Sequence, residues 1–447
     1  MPALWFYGYR GVRTPRCAFN RAFFQFTVPQ ATAARPETVS SSVRVASETA
    51  KLRQVVVHTP GDEMALVSPE NKDALLFDDI LDVSEARKEH AVMCELFEKI
   101  VGRPDAVLQL SQLLREAFDQ EDARWDYVEM LCKALPERNY EAYEQDLKSL
   151  DSETLHRFAL TGQAPFPVSA HPLPNLLFTR DLSAVVNGHV ILSRAATPAR
   201  LPESVILSTV MRYHQRFADI GEQLIELPER VSFEGGDLIV VNEKLVLIGQ
   251  SERTSLGGVM TITRSLLEKT QVEHVLMVNL PKQRSCMHLD TVFTFADPDT
   301  CIEFPPIIED ARDNVYHFEA DDDPRGFRTR VLPNLKEALV EMTGRDITFI
   351  PCGGDDPISQ RREQWTDGAN LFAVAPGLVI GYERNRKTFE ALREHGFHVV
   401  DAESFLDFYE GNNVGANKRM AITLTGHELS RGRGGPRCMT MPLVREA

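Results

Sequence analysis

The spacing of apolar positions changes several times along the chain, and each change marks a part. Leu52-Arg53-Gln54-Val55-Val56-Val57-His58-Thr59-Pro60-Gly61 is a β-branched run closed by a Pro-Gly break, which predicts a strand and the start of folded sequence. From Ser84 to Gly162 the period becomes helical: Met93, Leu96 and Ile100 share one face, and Leu110, Leu113, Leu114 and Phe118 another. Ser84, Asp105 and Ser152 are the predicted N-caps, and Pro104 and Pro136 the breaks between helices. The reading is an all-helical block over 84–163 that scaffolds rather than reacts.

Beyond Phe166 the pattern repeats loosely. Arg180-Asp181 precedes two short apolar runs joined by Asn187-Gly188, ending in Arg194. Gly236-Asp237 precedes two runs joined by Asn242-Glu243-Lys244, with Arg253 downstream. Thr366-Asp367-Gly368 precedes two runs joined by Ala375-Pro376-Gly377, with Arg384 downstream, and a weaker copy follows His288-Leu289-Asp290. Helical segments follow, at Pro202–Arg216, Leu256–Lys269 and Asn385–His395. Self-similar ββα units predict radial or stacked repetition rather than one open sheet. In a radial arrangement the acidic residue of each unit faces a common axis.

Composition alters this picture at one end. The whole chain carries a net charge of −16, yet its first fifty residues hold six arginines against Glu37 and Glu48, a net of +4 that leaves −20 for the rest. Arginine-rich and acid-poor, residues 1–46 fit an organelle transit peptide (mitochondrion or plastid), with cleavage before Ser47. The acidic remainder argues against a nucleic-acid partner and suits a small cation. No run approaches the roughly 18 apolar residues of a membrane-spanning helix. The seven cysteines, at 17, 94, 132, 286, 301, 352 and 438, are odd in number and form no C-x-x-C pair, so the chain reads as one from a reducing compartment.

One thiol stands apart. Arg431-Gly432-Arg433-Gly434-Gly435-Pro436-Arg437-Cys438 delivers Cys438 on a glycine-rich loop between arginines, where positive charge favours the nucleophilic thiolate. Collected by repeat position, its companions are Asp181, Glu234 with Asp237, and His288 with Asp290. Three chemistries fit. Carboxylates grip a planar guanidinium while Cys438 attacks its carbon and His288 moves protons. A Cys–His amide hydrolase needs only one orienting acid and leaves the others unexplained. A metal site is conceivable because His-x-Asp puts His288 and Asp290 on one strand face. Arg200 and Arg253 each follow a second strand and offer forks for a substrate carboxylate.

Six stretches together resemble the arginine deiminase family. They are His58-Thr59-Pro60-Gly61 with Leu76-Phe77-Asp78-Asp79; Pro174-Asn175-Leu176-Leu177-Phe178-Thr179-Arg180-Asp181; Phe233-Glu234-Gly235-Gly236-Asp237; His288-Leu289-Asp290-Thr291-Val292-Phe293-Thr294; Gln364-Trp365-Thr366-Asp367-Gly368-Ala369-Asn370; and the Cys438 loop. The resemblance runs from about Leu52 to Ala447. It implies a fivefold pseudosymmetric α/β propeller (pentein-type), its first part at 47–83, an inserted all-helical domain at 84–163 and the remainder at 164–447. It implies hydrolysis of free L-arginine to L-citrulline and ammonia with no metal or organic cofactor, and leaves room for a homo-oligomer. Cys438 would be the nucleophile, His288 the proton shuttle, Asp181 and Asp290 the guanidinium holders and Glu234 their support. Asn175, Phe178, Arg200, Arg253 and Arg433 would line the α-amino-acid end.

The rivals are other guanidine-modifying enzymes, namely amidinotransferases, methylarginine hydrolases and protein-arginine deiminases, or a non-catalytic arginine-binding sensor. The first prediction concerns the N-terminus: residues 1–46 fused to a fluorescent protein should carry it into an organelle, and retention in the cytosol would overturn the transit reading.

Overall fold

The computed structural model describes residues 42–321, 326–409 and 419–446. The expected transit segment therefore lies outside the described residues up to residue 41. Its last part does not: Val43, Val45 and Ala46 are buried. Arg44 N donates to Leu443 O at 2.8 Å, and Val45 and Asn187 exchange both backbone hydrogen bonds. A boundary at residue 46 would cut through packed chain, and folded sequence begins before the expected Leu52. Sequence reading missed this because the segment is too short to show a period.

Five sheets share one plan: an antiparallel pair, then a third strand parallel to the second. The four later ones start from the hairpins Ser183–Val186/His189–Leu192, Leu238–Asn242/Leu245–Gln250, Phe293–Asp297/Thr300–Glu303 and Phe372–Ala375/Leu378–Tyr382. Their parallel third strands are Leu224–Ile225, His274–Asn279, Thr348–Pro351 and Met420–Leu424. The remaining sheet joins the chain's two ends: Leu52–Val57 pairs antiparallel with Met441–Arg445 and parallel with Val107–Gln109. The turn chemistry accounts for the hairpins. Asn187 takes a left-handed φ of 53° and Gly377 one of 71°. The Asn242 side chain accepts from the backbone N–H groups of Lys244 and Leu245. The helices expected after these hairpins span Leu201–Tyr213, Leu256–Lys269 and Arg386–Glu394.

The run 84–163 is divided rather than uniform. Helix Val83–Val101 buries Met93, Leu96, Phe97 and Ile100 in the core that also holds Phe372, Ile422 and Cys438, each worth about 2 kcal/mol of burial. Strand Val107–Gln109 joins the sheet already described, and the helices from Leu110 to Thr161 pack in the core of Val185, Ile191 and Ile206. Two caps sit just before the expected residues: Asp82 and Asp151, not Ser84 and Ser152, accept from the third-residue N–H, because a carboxylate placed one residue outside the helix reaches that donor. Asp105 sits inside a short 3-10 turn. Among the described residues no helix is long and apolar enough to cross a membrane.

The turns that open the five units touch in a closed circuit. Arg180 N donates to Cys438 O at 3.0 Å. Gly235 lies so near the Arg180–Ser183 backbone that a Cβ there would meet Ser183 O at 2.2 Å. Leu289 N donates to Asp237 Oδ1 at 2.9 Å, Asn370 Nδ2 to Asp290 O at 3.0 Å, and Cys438 N to Asn370 Oδ1 at 3.1 Å. Glu48, from the N-terminal segment, lies against this circuit with Oε1 2.9 Å from Arg437 Nε and 3.8 Å from Arg180 Nη2. Burial opposes its charge, but Arg437, Arg180 and Arg445 outweigh that and hold its carboxyl down to about 2. Replacing Glu48 by Gln leaves buried arginines uncompensated, and we expect a loss of about 3 kcal/mol in denaturant unfolding. An unchanged unfolding midpoint would refute the structural role given to Glu48.

Candidate active site

Short 3-10 turns present the site residues at the ends of the units. Thr179–Leu182 carries Asp181, Gly235–Asp237 follows Glu234, and Leu289–Thr291 follows His288 and carries Asp290. His288-Leu289-Asp290 is thus a turn and not a strand, so its His and Asp do not share a strand face as the metal reading supposed. Cys438 occupies the matching place before Met441–Arg445, where the other units carry an acid. Its loop needs glycine by close approach: a Cβ on Gly434 would lie 2.4 Å from the Phe178 ring.

Asp181, Glu234, His288, Asp290 and Cys438 are all at most 5% exposed. His288 Nε2 is 2.8 Å from Glu234 Oε2, and its Nδ1 is 3.6 Å from Asp181 Oδ1. Burial alone would discharge the imidazole, but the charge of Asp181 and the hydrogen bond to Glu234 prevail and push His288 up to about 10. Glu234 is held below the usual carboxylate range by the same pairing, with Arg200 helping against burial. Asp181, Glu234 and His288 also converge closely enough to ligate a metal ion. Arg200 already stands there, with Nη1 2.6 Å from Asp181 Oδ2 and 3.5 Å from Glu234 Oε2.

Each guanidinium-holding candidate keeps one oxygen without a hydrogen bond, that of Asp181 facing His288 Nδ1 at 3.6 Å. Asp181 Oδ2 receives Arg200, and Asp290 Oδ2 receives Arg437 Nη1 at 2.7 Å and lies 3.9 Å from Cys438 Sγ. Asp181 Oδ1 and Asp290 Oδ1 are buried with no hydrogen-bond partner among the described residues. Buried acceptors left open in this way demand a donor.

The arginines behave differently from the sequence expectation. Arg437 binds Glu48 and Asp290 Oδ2, the oxygen that lies near the Cys438 sulfur; Arg431 binds Asp79 and Glu428; Arg433 stacks on Trp365. Burial first, then the charges of Asp290, Asp181 and Asp367, push the Cys438 thiol well above its ordinary value, against the opposing charge of Arg437. Arg431 and Arg437 are paired with carboxylates and Arg433 with Trp365, so burial and the neighbouring acids prevail over the cations at the thiol.

A pocket opens onto the thiol, lined among others by Asn175, Phe178, Asp181, Arg200, Arg253, His288, Arg433 and Cys438. Asp290 and Glu234 are not among its lining residues. Asn175 Nδ2 donates to Leu75 O, while Arg200 donates to Asn175 O and to the Glu203 carboxylate. Arg253 is freer: its Nη1 is 3.9 Å from Glu234, and its Nε has no hydrogen-bond partner among the described residues. Sequence reasoning missed Leu76, Arg284, Met287 and Thr291 in the wall. It also gave no role to Asn370, which ties Cys438 to Asp290 and whose only signal was its place in the repeat beside Asp367.

The arrangement is that of an α/β enzyme whose pocket sets a thiol, a histidine and one carboxylate, Asp181, among four arginines, Arg200, Arg253, Arg284 and Arg433. The family model described as arginine deiminase matches residues 73–445. The arginine deiminase of Listeria monocytogenes serotype 4b is 35% identical over 438 residues, 91% of this chain and 99% of that one. That of Bacillus cytotoxicus is 33% identical over 430 residues, 90% of this chain and 98% of its own. Among solved structures, a dimethylarginine dimethylaminohydrolase mutant from Pseudomonas aeruginosa complexed with citrulline is 14% identical with a TM-score of 0.46, covering 88% of this chain and 99% of that one. AgrE in a ternary complex with ornithine and NAD+ is 14% identical with a TM-score of 0.49, covering 89% of this chain and 40% of that one. The chain belongs to the arginine deiminase family.

The His288–Glu234 pair fixes a pH dependence. A histidine raised from 6.5 to about 10 contributes stability that is full below pH 6.5 and is lost as pH rises through 10. The thermal midpoint of the native protein should therefore fall from pH 7 to 10 more steeply than that of His288→Gln. Parallel profiles would sink the assigned charge state.

Proposed function

We propose that this protein hydrolyses free L-arginine to L-citrulline and ammonia through a covalent adduct on Cys438. The observation that carries this reading is the pair of buried, half-used carboxylates, Asp181 and Asp290, beside a thiol. Their open oxygens suit the N–H groups of a guanidinium. A bound guanidinium is also the cation that the thiol lacks, so substrate binding lowers the thiol's proton affinity and the proton leaves as substrate enters.

The thiolate then bonds to the central guanidinium carbon. His288, protonated in the free protein, gives its proton to the departing nitrogen, and ammonia leaves an S-alkylthiouronium on Cys438. Water attacks that carbon, neutral His288 takes the water's proton, and the carbon–sulfur bond breaks to release citrulline. Glu234 holds His288 in place throughout. At the other end Arg253 and Arg433, with Asn175 and Phe178, face the α-amino acid. Arg200 contributes through Asp181 as well, since its fork is already on that carboxylate. L-arginine is the proposed partner.

The same reading makes the five like sheets, closed by their contacting turns, a fivefold pseudosymmetric propeller, with helices from the 84–163 run inserted between its first part at 47–83 and its remainder at 164–447. The packing of Val43 and Glu48 favours starting the propeller a few residues earlier.

Native protein given L-arginine should release citrulline and ammonia in equal amounts, and Cys438→Ala should release neither while still binding arginine. Mass spectrometry of an acid-quenched reaction should place the adduct on the Cys438 peptide; an adduct on Cys286 or Cys352 would overturn the assignment. Asp181→Asn and Asp290→Asn should each lower kcat by at least about a hundredfold by misplacing the reacting carbon. Agmatine, which lacks the carboxylate, should be a poor substrate.

A further inference from the structure

The proposed reaction leaves unexplained how one exposed-side cation, Arg433, is kept in the pocket wall. Its backbone is left-handed, with φ 68°, on a loop between two glycines, so the main chain does little to fix the direction of its long side chain. Yet the side chain is only 10% exposed, while Trp365 beside it is 45% exposed.

Three contacts hold it. The guanidinium carbon lies 3.4 Å from the centroid of the Trp365 ring. Nη1 donates to the Trp365 carbonyl oxygen. Nε is 3.7 Å from Asp78 Oδ2 but, among the described residues, has no hydrogen-bond partner. Asp78 is itself fixed by Arg284, whose Nη2 is 3.1 Å from Oδ2 and 2.9 Å from Leu76 O. A planar cation stacked on an indole and pinned at one nitrogen has lost its freedom before a ligand arrives, and Arg433 is part of the wall of the pocket that opens onto the thiol. An exposed tryptophan on a soluble surface otherwise only costs hydration.

We propose that Trp365 is a positioning residue for substrate recognition: its ring and carbonyl, with Asp78, hold Arg433 across the pocket mouth so that the guanidinium meets the substrate's α-carboxylate already oriented. Trp365 touches no reacting atom and acts through Arg433. The physical gain is preorganisation, because the entropy of fixing the arginine is met by stacking and not by substrate binding. The inference rests on the arginine-hydrolysing reading above.

The test is a double-substitution cycle on the full chain. Trp365→Ala should raise KM for L-arginine about tenfold with kcat within about threefold of native, and Trp365→Phe, which keeps a face to stack on, should recover most of the loss. Trp365→Ala added to Arg433→Ala should cause no further rise, since both remove one interaction. With agmatine, Trp365→Ala should leave KM unchanged. An unchanged KM for arginine in Trp365→Ala, additive losses in the double variant, or an equal loss with agmatine would each overturn the proposal.

Failure of the underlying reading shows separately, as absence of citrulline from native protein. In that event calorimetric titration of L-arginine into Cys438→Ala, with and without Trp365→Ala, decides the matter. A tenfold weaker affinity supports the role of Trp365 and equal affinities refute it. Should Cys438→Ala bind no arginine at all, the proposal falls with the reading.

Discussion

Charge buried without water must be balanced, and this requirement shapes the centre of the molecule. Glu48, Asp181, Glu203, Glu234, Asp237, Asp290 and Asp367 all lie inside, and an isolated ion there would be prohibitively costly. Arg180, Arg200, Arg253, Arg437, Arg445 and His288 supply the answering charge, but incompletely. Burial pushes Asp237, Glu203 and Asp367 up to about 7, in each case against nearby cations, because a carboxyl shielded from water favours its neutral form. The Cys438 thiol is raised for the same reason, burial first and then the carboxylates near its sulfur.

The balance depends on where the backbone lets these groups stand. Each unit opens with a tight turn, and the turns contact one another in a closed circuit that runs from Cys438 through Arg180, Gly235, Leu289 and Asn370 back to Cys438. No single element positions Cys438. Cys438 N is set by the side chain of Asn370, whose other end holds the Asp290 carbonyl, so a shift in one unit is felt in two others. The sheet that closes the circuit takes its strands from opposite ends of the chain, which makes Glu48 and Met441–Arg445 part of one assembly. The site exists only once both ends are in place, a high contact order that favours slow folding.

Much of this was legible in the sequence because it is local. Asp181, Asp237, Asp290 and Asp367 were identified by standing shortly before a pair of strands, and that placement puts each in the turn that opens its unit. Asn187-Gly188 and Pro376-Gly377 announced hairpins through backbone preferences that hold in any context. What could not be read was pairing at long range. That Arg437 pairs with Glu48, 389 residues away, has no local signature, so the sequence could show arginines beside Cys438 but not the carboxylates that engage them. Strand Val107–Gln109 was hidden because three residues are too few to show a period, and its place is fixed by Val55, Val56 and Val57 opposite. Leu76 and Arg284 entered the wall unannounced for the same reason: Leu76 takes a left-handed φ of 64° only because contacts such as that from Arg284 to its carbonyl hold the turn.

The position of Arg200 bears on how one pocket separates binding from reaction. Its fork joins Asp181, Glu203 and the Asn175 carbonyl, so it is a fixed part of the wall. Occupying Asp181 Oδ2 leaves Oδ1 as the single open acceptor on that carboxylate, just as Arg437 leaves Oδ1 on Asp290. Two acids that could each have taken a bidentate grip are thereby limited to one contact each. A guanidinium held by single contacts from two different residues is located by both and rotated by neither, which fixes its carbon against the sulfur more closely than one strong fork would. Under the proposed reaction, Arg200 and Arg437 would thus help define where a guanidinium's reacting carbon sits, by leaving one oxygen open on each acid.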